Sequence, residues 1–116
     1  MIQATTDSVE QAAVTCAEQC EHCSDMCIEE SRMHCARTCR DCAQICWTTA
    51  AFRARHGTAV ESLTRLCAEI CRICAEECAQ HDNPHCRESA ELCRACASAC
   101  ESASDLTPRT PRGEAL

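Results

Sequence analysis

Cysteines occupy the positions that larger apolar residues usually hold along an amphipathic chain. They fall into four clusters, and the first three share the spacing Cys-x3-Cys-x2-Cys-x3-Cys. Steps of four, three and four residues at ~100° per residue return to one side of a helix, so each cluster forms a narrow stripe. The pattern predicts four helices with thiols on one face. The sixteen cysteines are Cys16, Cys20, Cys23, Cys27, Cys35, Cys39, Cys42, Cys46, Cys67, Cys71, Cys74, Cys78, Cys86, Cys93, Cys96 and Cys100.

An internal repeat divides the chain into two helical hairpins. Shifting the sequence by 51 residues superimposes the first cysteine stripe on the third and carries His34-Cys35 onto His85-Cys86. The fourth stripe departs from the pattern, because Ser89 stands where its first cysteine is expected and Cys86 lies one turn earlier. Two hairpins with one stripe per helix predict an all-α fold, an antiparallel four-helix bundle with a cysteine-lined core.

Helix punctuation sets the expected boundaries. The signals that start helices are capping boxes at Asp7-x-x-Glu10 and Thr58-x-x-Glu61 and the pair Asn83-Pro84. The signals that end them are Gly57 and a break at Ser31. They predict helices over residues 7–30, 32–55, 59–80 and 84–104. The domain organisation is then an N-terminal segment over 1–6, the bundle over 7–105 and a disordered tail over 106–116.

Antiparallel packing of the four stripes predicts level layers of thiols. The expected layers are Cys16/Cys46/Cys67/Cys100, Cys20/Cys42/Cys71/Cys96, Cys23/Cys39/Cys74/Cys93, and Cys27, Cys35 and Cys78 with Ser89. The last layer is therefore one thiol short.

Composition and charge exclude several classes of function. The chain is 46% hydrophobic, but this fraction contains 16 cysteines and 19 alanines, which leaves few large apolar side chains for a core. A net charge of −7, with 11 arginines and no lysine, argues against nucleic-acid binding. No apolar run is long enough to cross a membrane. The first residues lack a basic and apolar leader, so we expect the cytosol.

Metal binding explains the thiols better than packing or disulfides do. Sixteen thiolates inside a bundle carry a charge that must be neutralised. One Cu⁺ per thiolate leaves the core near neutral, and soft thiolates favour Cu(I). We therefore expect several Cu(I) ions per monomer and no enzymatic turnover. The alternatives are a general thiolate sink for zinc or cadmium, as in metallothioneins, and a thiol-redox protein.

The four cysteine stripes at 16–27, 35–46, 67–78 and 86–100 resemble those of the bacterial copper storage proteins. The chain is most similar to the cytosolic branch of that family. The resemblance implies copper storage or sequestration, Cu(I) held mainly by cysteine pairs, and a homotetramer. It also implies a role in metal homeostasis, with copper chaperones or chelators as candidate partners.

The two ends of the expected bundle differ in chemistry. At one end His34, His81 and His85 extend the thiols, and His81 continues the third stripe most directly. Because imidazole binds Cu(I) more weakly than thiolate, we expect this end to be the mouth, with these three histidines as metal ligands and Met26 and Met33 nearby. The other end is expected to hold an apolar plug, formed by Val9, Ala12, Ala13, Ala50, Val60 and Leu63, with Trp47, Phe52 and Leu66 close by.

Overall fold

The computed structural model describes residues 7–106, which form four α-helices joined by short connections. The helices are α1 (Ser8–Glu29), α2 (Met33–Ala54), α3 (Val60–Cys78) and α4 (Pro84–Leu106). Each boundary lies within two residues of its predicted position. Leu106, the first residue of the predicted tail, is instead the last residue of α4. The predicted segment 1–6 and the rest of the predicted tail, 107–116, lie outside the described residues.

The helices pack as the predicted bundle. α1 contacts α2 and α4, and α3 contacts the same two helices, so the four form a closed ring of neighbours. The cysteines point into this ring, and every one of them is at most 1% exposed. Alanines such as Ala17, Ala43 and Ala97 flank the stripes and are fully buried. The expected fold class is thereby confirmed.

The two N-terminal caps built by Asp7 and Asn83 are confirmed. The Asp7 carboxylate accepts hydrogen bonds from the backbone N–H groups of Val9 (2.8 Å) and Glu10 (3.2 Å). The Asn83 side-chain oxygen accepts one from the Cys86 N–H at 3.1 Å. Each cap satisfies donors that the first helical turn leaves without a partner.

The other predicted punctuation differs in detail. The residue preceding α3 is Ala59, which has no side-chain cap, so the capping box expected at Thr58 does not form. Ser31 does not cap α2; it adopts a left-handed conformation (φ 62°) that ends α1, and Arg32 precedes α2.

Gly57 also has a different role from the one expected. His56 takes the left-handed position (φ 55°) after α2, and the Gly57 N–H donates to the Phe52 carbonyl oxygen at 2.8 Å. The His56 N–H donates to the Arg53 carbonyl oxygen at 3.3 Å, and the two bonds together form a Schellman turn. A Cβ at Gly57 would lie 2.9 Å from the Phe52 ring, so glycine is required by close approach rather than by φ.

The end of the bundle where α1 begins is closed by a charged clasp. The Arg53 guanidinium donates to both carboxylate oxygens of Asp7, at 3.1 and 2.8 Å, and to the Thr64 hydroxyl at 2.9 Å. Val9 and the nearby Ala13 are buried.

The six residues of the predicted apolar plug are buried to different degrees. Val9, Ala13 and Ala50 are buried, and Ala12, Val60 and Leu63 are half-buried. Trp47 and Leu66, which were expected close by, are 38% and 42% exposed. The Trp47 indole N–H donates outward to Glu21 at 3.0 Å. The clasp, rather than large apolar side chains, closes this end.

Candidate metal centre

All sixteen cysteines are free thiols that face one another along the bundle axis. Neighbouring Sγ atoms lie between 3.6 Å, as for Cys16 and Cys93, and 4.0 Å, as for Cys16 and Cys42. Contacts run within helices and across them. The core is therefore a continuous array of thiols rather than a set of separate pairs.

The thiols of α2 and α3 form the level pairs that the layers predict, whereas those of α4 are offset. The Sγ atoms of Cys46/Cys67, Cys42/Cys71 and Cys39/Cys74 lie 3.8 Å apart and those of Cys35/Cys78 lie 4.0 Å apart. Cys16 was expected beside Cys100 and Cys23 beside Cys93, but their Sγ contacts on α4 are to Cys93 (3.6 Å) and Cys86 (3.8 Å). Cys46 contacts both Cys67 (3.8 Å) and Cys71 (3.6 Å). Side chains of one helix pack into the spaces between those of the next, and this offsets the stripes. A thiol therefore contacts two neighbours on a facing helix where a layer would give it one.

Interleaving produces overlapping groups of ligand atoms that lie within 4.8 Å of one another. Each group offers three or four donors to one ion, and consecutive groups share a cysteine. Five of these groups are Cys23/Cys27/His85/Cys86, Cys23/Cys35/Cys39/Cys78, Cys20/Cys39/Cys74, Cys16/Cys20/Cys42/Cys93 and Cys16/Cys46/Cys71/Cys96.

His85 is the histidine that joins the thiols. Its Nδ1 atom lies 3.2 Å from the Cys23 Sγ and 3.5 Å from the Cys86 Sγ. Its Nε2 atom lies 3.0 Å from the Glu30 carboxylate, and the side chain is only 8% exposed. Cys86 lies one turn before the position that the stripe pattern predicts. There it completes a candidate metal site with Cys23, Cys27 and His85 at this end.

His34 and His81 lie on the opposite side of the same end. The His81 Nε2 atom is 3.0 Å from the Glu77 carboxylate, and the His34 Nε2 atom is 3.6 Å from it. The His34 side chain is 80% exposed. Both histidines therefore contact the Glu77 carboxylate. Helical phase had made His81 the best candidate for a metal ligand at this end. Met26 is half-buried and Met33 is exposed.

The family model for copper storage proteins matches residues 2–105. The chain belongs to the copper storage protein family.

Solved structures of other copper storage proteins have the same fold. The Cu(I)-bound copper storage protein BsCsp3 is 34% identical, with 85% of this chain and 97% of that chain covered and a TM-score of 0.80. Apo-Csp3 from Bacillus subtilis is 32% identical, with coverages of 86% and 99% and a TM-score of 0.81. A cytosolic copper storage protein from Streptomyces lividans, with five coppers, is 32% identical, with coverages of 87% and 92% and a TM-score of 0.82. No curated protein sequence matches this copper storage protein significantly.

Within residues 7–106, no helix is sufficiently long and apolar to cross a bilayer.

At the His85 end of this copper storage protein, two of the thiols, Cys27 and Cys86, are kept protonated by burial. Burial raises the pKa of Cys27, and together with the nearby Cys23 it raises the pKa of Cys86 to about 12. Desolvation alone would lower the pKa of His85, but its contacts with Cys23 and Glu30 outweigh that effect and raise it. A metal that binds these thiols must therefore displace their protons.

Sequence reasoning missed two residues around this site, Gln19 and Glu30. The Gln19 side-chain amide donates to the Ser89 hydroxyl at 3.3 Å and to the His85 carbonyl oxygen at 3.1 Å. Glu30 holds the outer nitrogen of His85. Gln19 lies on α1 and Glu30 directly follows it, whereas the residues they contact lie on α4, the most distant helix in sequence. No local spacing therefore relates them.

An open cleft of about 470 Å³, lined by His22, Met26 and Asn83 among others, adjoins His85.

Proposed function

We propose that this copper storage protein binds many Cu(I) ions along its core and stores or sequesters them without turnover. The observation that carries the proposal is the array of sixteen buried, unoxidised thiols, fourteen of which have a neighbouring Sγ atom 3.6–4.0 Å away. Three sulfurs around one metal ion at ~2.3 Å stand ~4 Å apart, so two or three thiols reach an ion with little movement.

Charge favours a monovalent cargo over a divalent one. A four-thiolate zinc or cadmium site keeps two negative charges in a buried core, whereas one Cu⁺ per thiolate keeps none. The sixteen cysteines are the proposed storage ligands. His85 is proposed as a ligand at the mouth, with His34 and His81 as further ligands that would act after leaving Glu77.

The relatives support the remaining features of the proposal. One of them is described as cytosolic and holds five coppers, and another is Cu(I)-bound. We propose the same location for this chain, a homotetrameric assembly, and copper chaperones or small chelators as the source of the ions.

Anaerobic titration with Cu(I) against a competing chelator tests the storage function. We expect saturation at around one ion per thiol, accompanied by a large rise in thermal stability because the ions bind only the folded state. Saturation at a few ions per monomer would contradict the proposal.

Two further measurements address the alternatives. Metal content after growth in mixed metals should show copper and little zinc or cadmium; the reverse would indicate a general thiolate sink. Replacing Cys96 by serine should lower capacity only slightly. Loss of a thiol-redox activity on that single replacement would instead indicate an enzyme.

A further inference from the structure

The thiol array has a gap on α4 next to the mouth. Six residues without a thiol separate Cys86 from Cys93 on this helix, a rise of about 10 Å between the two cysteines. Ser89 fills the position and is fully buried, with its hydroxyl accepting a hydrogen bond from Gln19. The gap means that an ion held at Cys86 has no adjacent thiol further along α4.

Cys23 lies where the mouth and the interior meet. Its Sγ atom is 3.2 Å from His85, 3.8 Å from Cys86 and 3.9 Å from Cys27. The same atom belongs to the next group inward, with Cys35, Cys39 and Cys78. From there Cys39 and then Cys20 connect the successive groups deeper in the core.

We propose that Cys23 is the transfer ligand through which Cu(I) passes from the mouth site to the interior, because the Ser89 gap closes the direct path along α4. The inference rests on the storage function proposed above. In each step one Cu–S bond forms and one breaks, and copper remains monovalent. The proton of the accepting thiol goes to the thiolate that is released, so the charge of the core does not change.

The test compares loading rates among single cysteine variants. Apo-protein is mixed anaerobically with a coloured Cu(I)–chelator complex, and the loss of colour is followed by stopped flow. Cys23→Ser should slow filling of the interior by about tenfold or more, the effect of a barrier ~1.4 kcal/mol higher. Its capacity at equilibrium should fall by only about one ion. Cys35→Ser, from the same inner group, and Cys100→Ser, from the far end, also lose about one ion of capacity, but they should slow filling by less than about twofold. Glu18→Ala, an exposed change outside the thiol array, should load at the wild-type rate.

A rescue variant separates a missing transfer ligand from a damaged mouth. Ser89→Cys adds a thiol between Cys86 and Cys93, and in the Cys23→Ser background it should restore most of the rate. The inference is overturned if Cys23→Ser loads as fast as Cys35→Ser, or if Ser89→Cys fails to restore a slow Cys23→Ser variant. A wild-type protein that takes up only a few ions would instead contradict the storage function itself.

Discussion

The two ends of the bundle each hold a carboxylate against a basic side chain, yet they do different things. At the closed end Asp7 binds Arg53, and at the other end Glu30 binds His85. A guanidinium has only donors and stays charged, so Arg53 offers nothing to a metal. A neutral imidazole keeps a lone pair, and the inner nitrogen of His85 faces two thiols. The comparison teaches that Arg53 can only seal its end of the core, whereas His85 also offers a nitrogen to the ion that we propose enters at the other end.

The largest effect should come from breaking the closed end. Asp7→Ala removes the cap of α1 and leaves Arg53 without its carboxylate. We expect the free energy of unfolding of the metal-free protein to fall by about 2–3 kcal/mol, the sum of a lost cap and a lost charged hydrogen bond. The melting temperature of the reduced protein measures this. Glu18→Ala, an exposed change on the same helix, is the control and should leave it unchanged. Equal melting temperatures for both variants would show that the clasp contributes nothing.

Breaking the open end should affect copper uptake rather than folding. His85→Ala removes the imidazole that contacts Cys23 and Cys86, so the first ion should load about tenfold more slowly, which corresponds to ~1.4 kcal/mol. Capacity should fall by at most one ion. Stopped-flow loading and equilibrium titration separate the two quantities. Loading at the wild-type rate would contradict a role for His85 at the mouth.

The closed end should also depend on pH. The hydrogen bond from Arg53 lowers the pKa of Asp7 below its usual value of 3.8. The clasp therefore stabilises the fold fully above that value, and its contribution is lost as the pH falls through the lowered pKa. Asp7→Asn keeps a capping oxygen but loses the charge. At neutral pH it should be less stable than wild type by about 1 kcal/mol, since Asp7 is partly exposed. Urea unfolding should show the two proteins converging in acid, and a constant difference would refute the assignment.

The smallest effect should come from His34→Ala. His34 and His85 precede equivalent cysteines in the repeat, but His34 is exposed and lies against Glu77. We expect a change in loading rate of less than about twofold, well under 1 kcal/mol. A slowing equal to that of His85→Ala would place the mouth between α2 and α3 instead.

Local features of the fold were predictable because they depend on residues close in sequence. All sixteen cysteines are buried, as the helical spacing of their stripes predicts. Asp7 and Asn83 cap the helices that they directly precede. The difference between His34 and His85 was not predictable, because the repeat makes them equivalent. It arises only when α4 packs against α1 and brings Cys23 and Glu30 to His85. Arg53 was missed for the same reason, since its partner lies 46 residues away.

Interleaving of the thiols has a consequence for a half-filled bundle. Because consecutive groups share a cysteine, a given number of ions can be distributed over the core in many arrangements of similar energy. A partly loaded population is then a mixture of positional isomers, and its configurational entropy is greatest at intermediate filling. We therefore expect the molecule to take up and release ions gradually over a broad range of copper activity, as a buffer does, rather than to switch between empty and full.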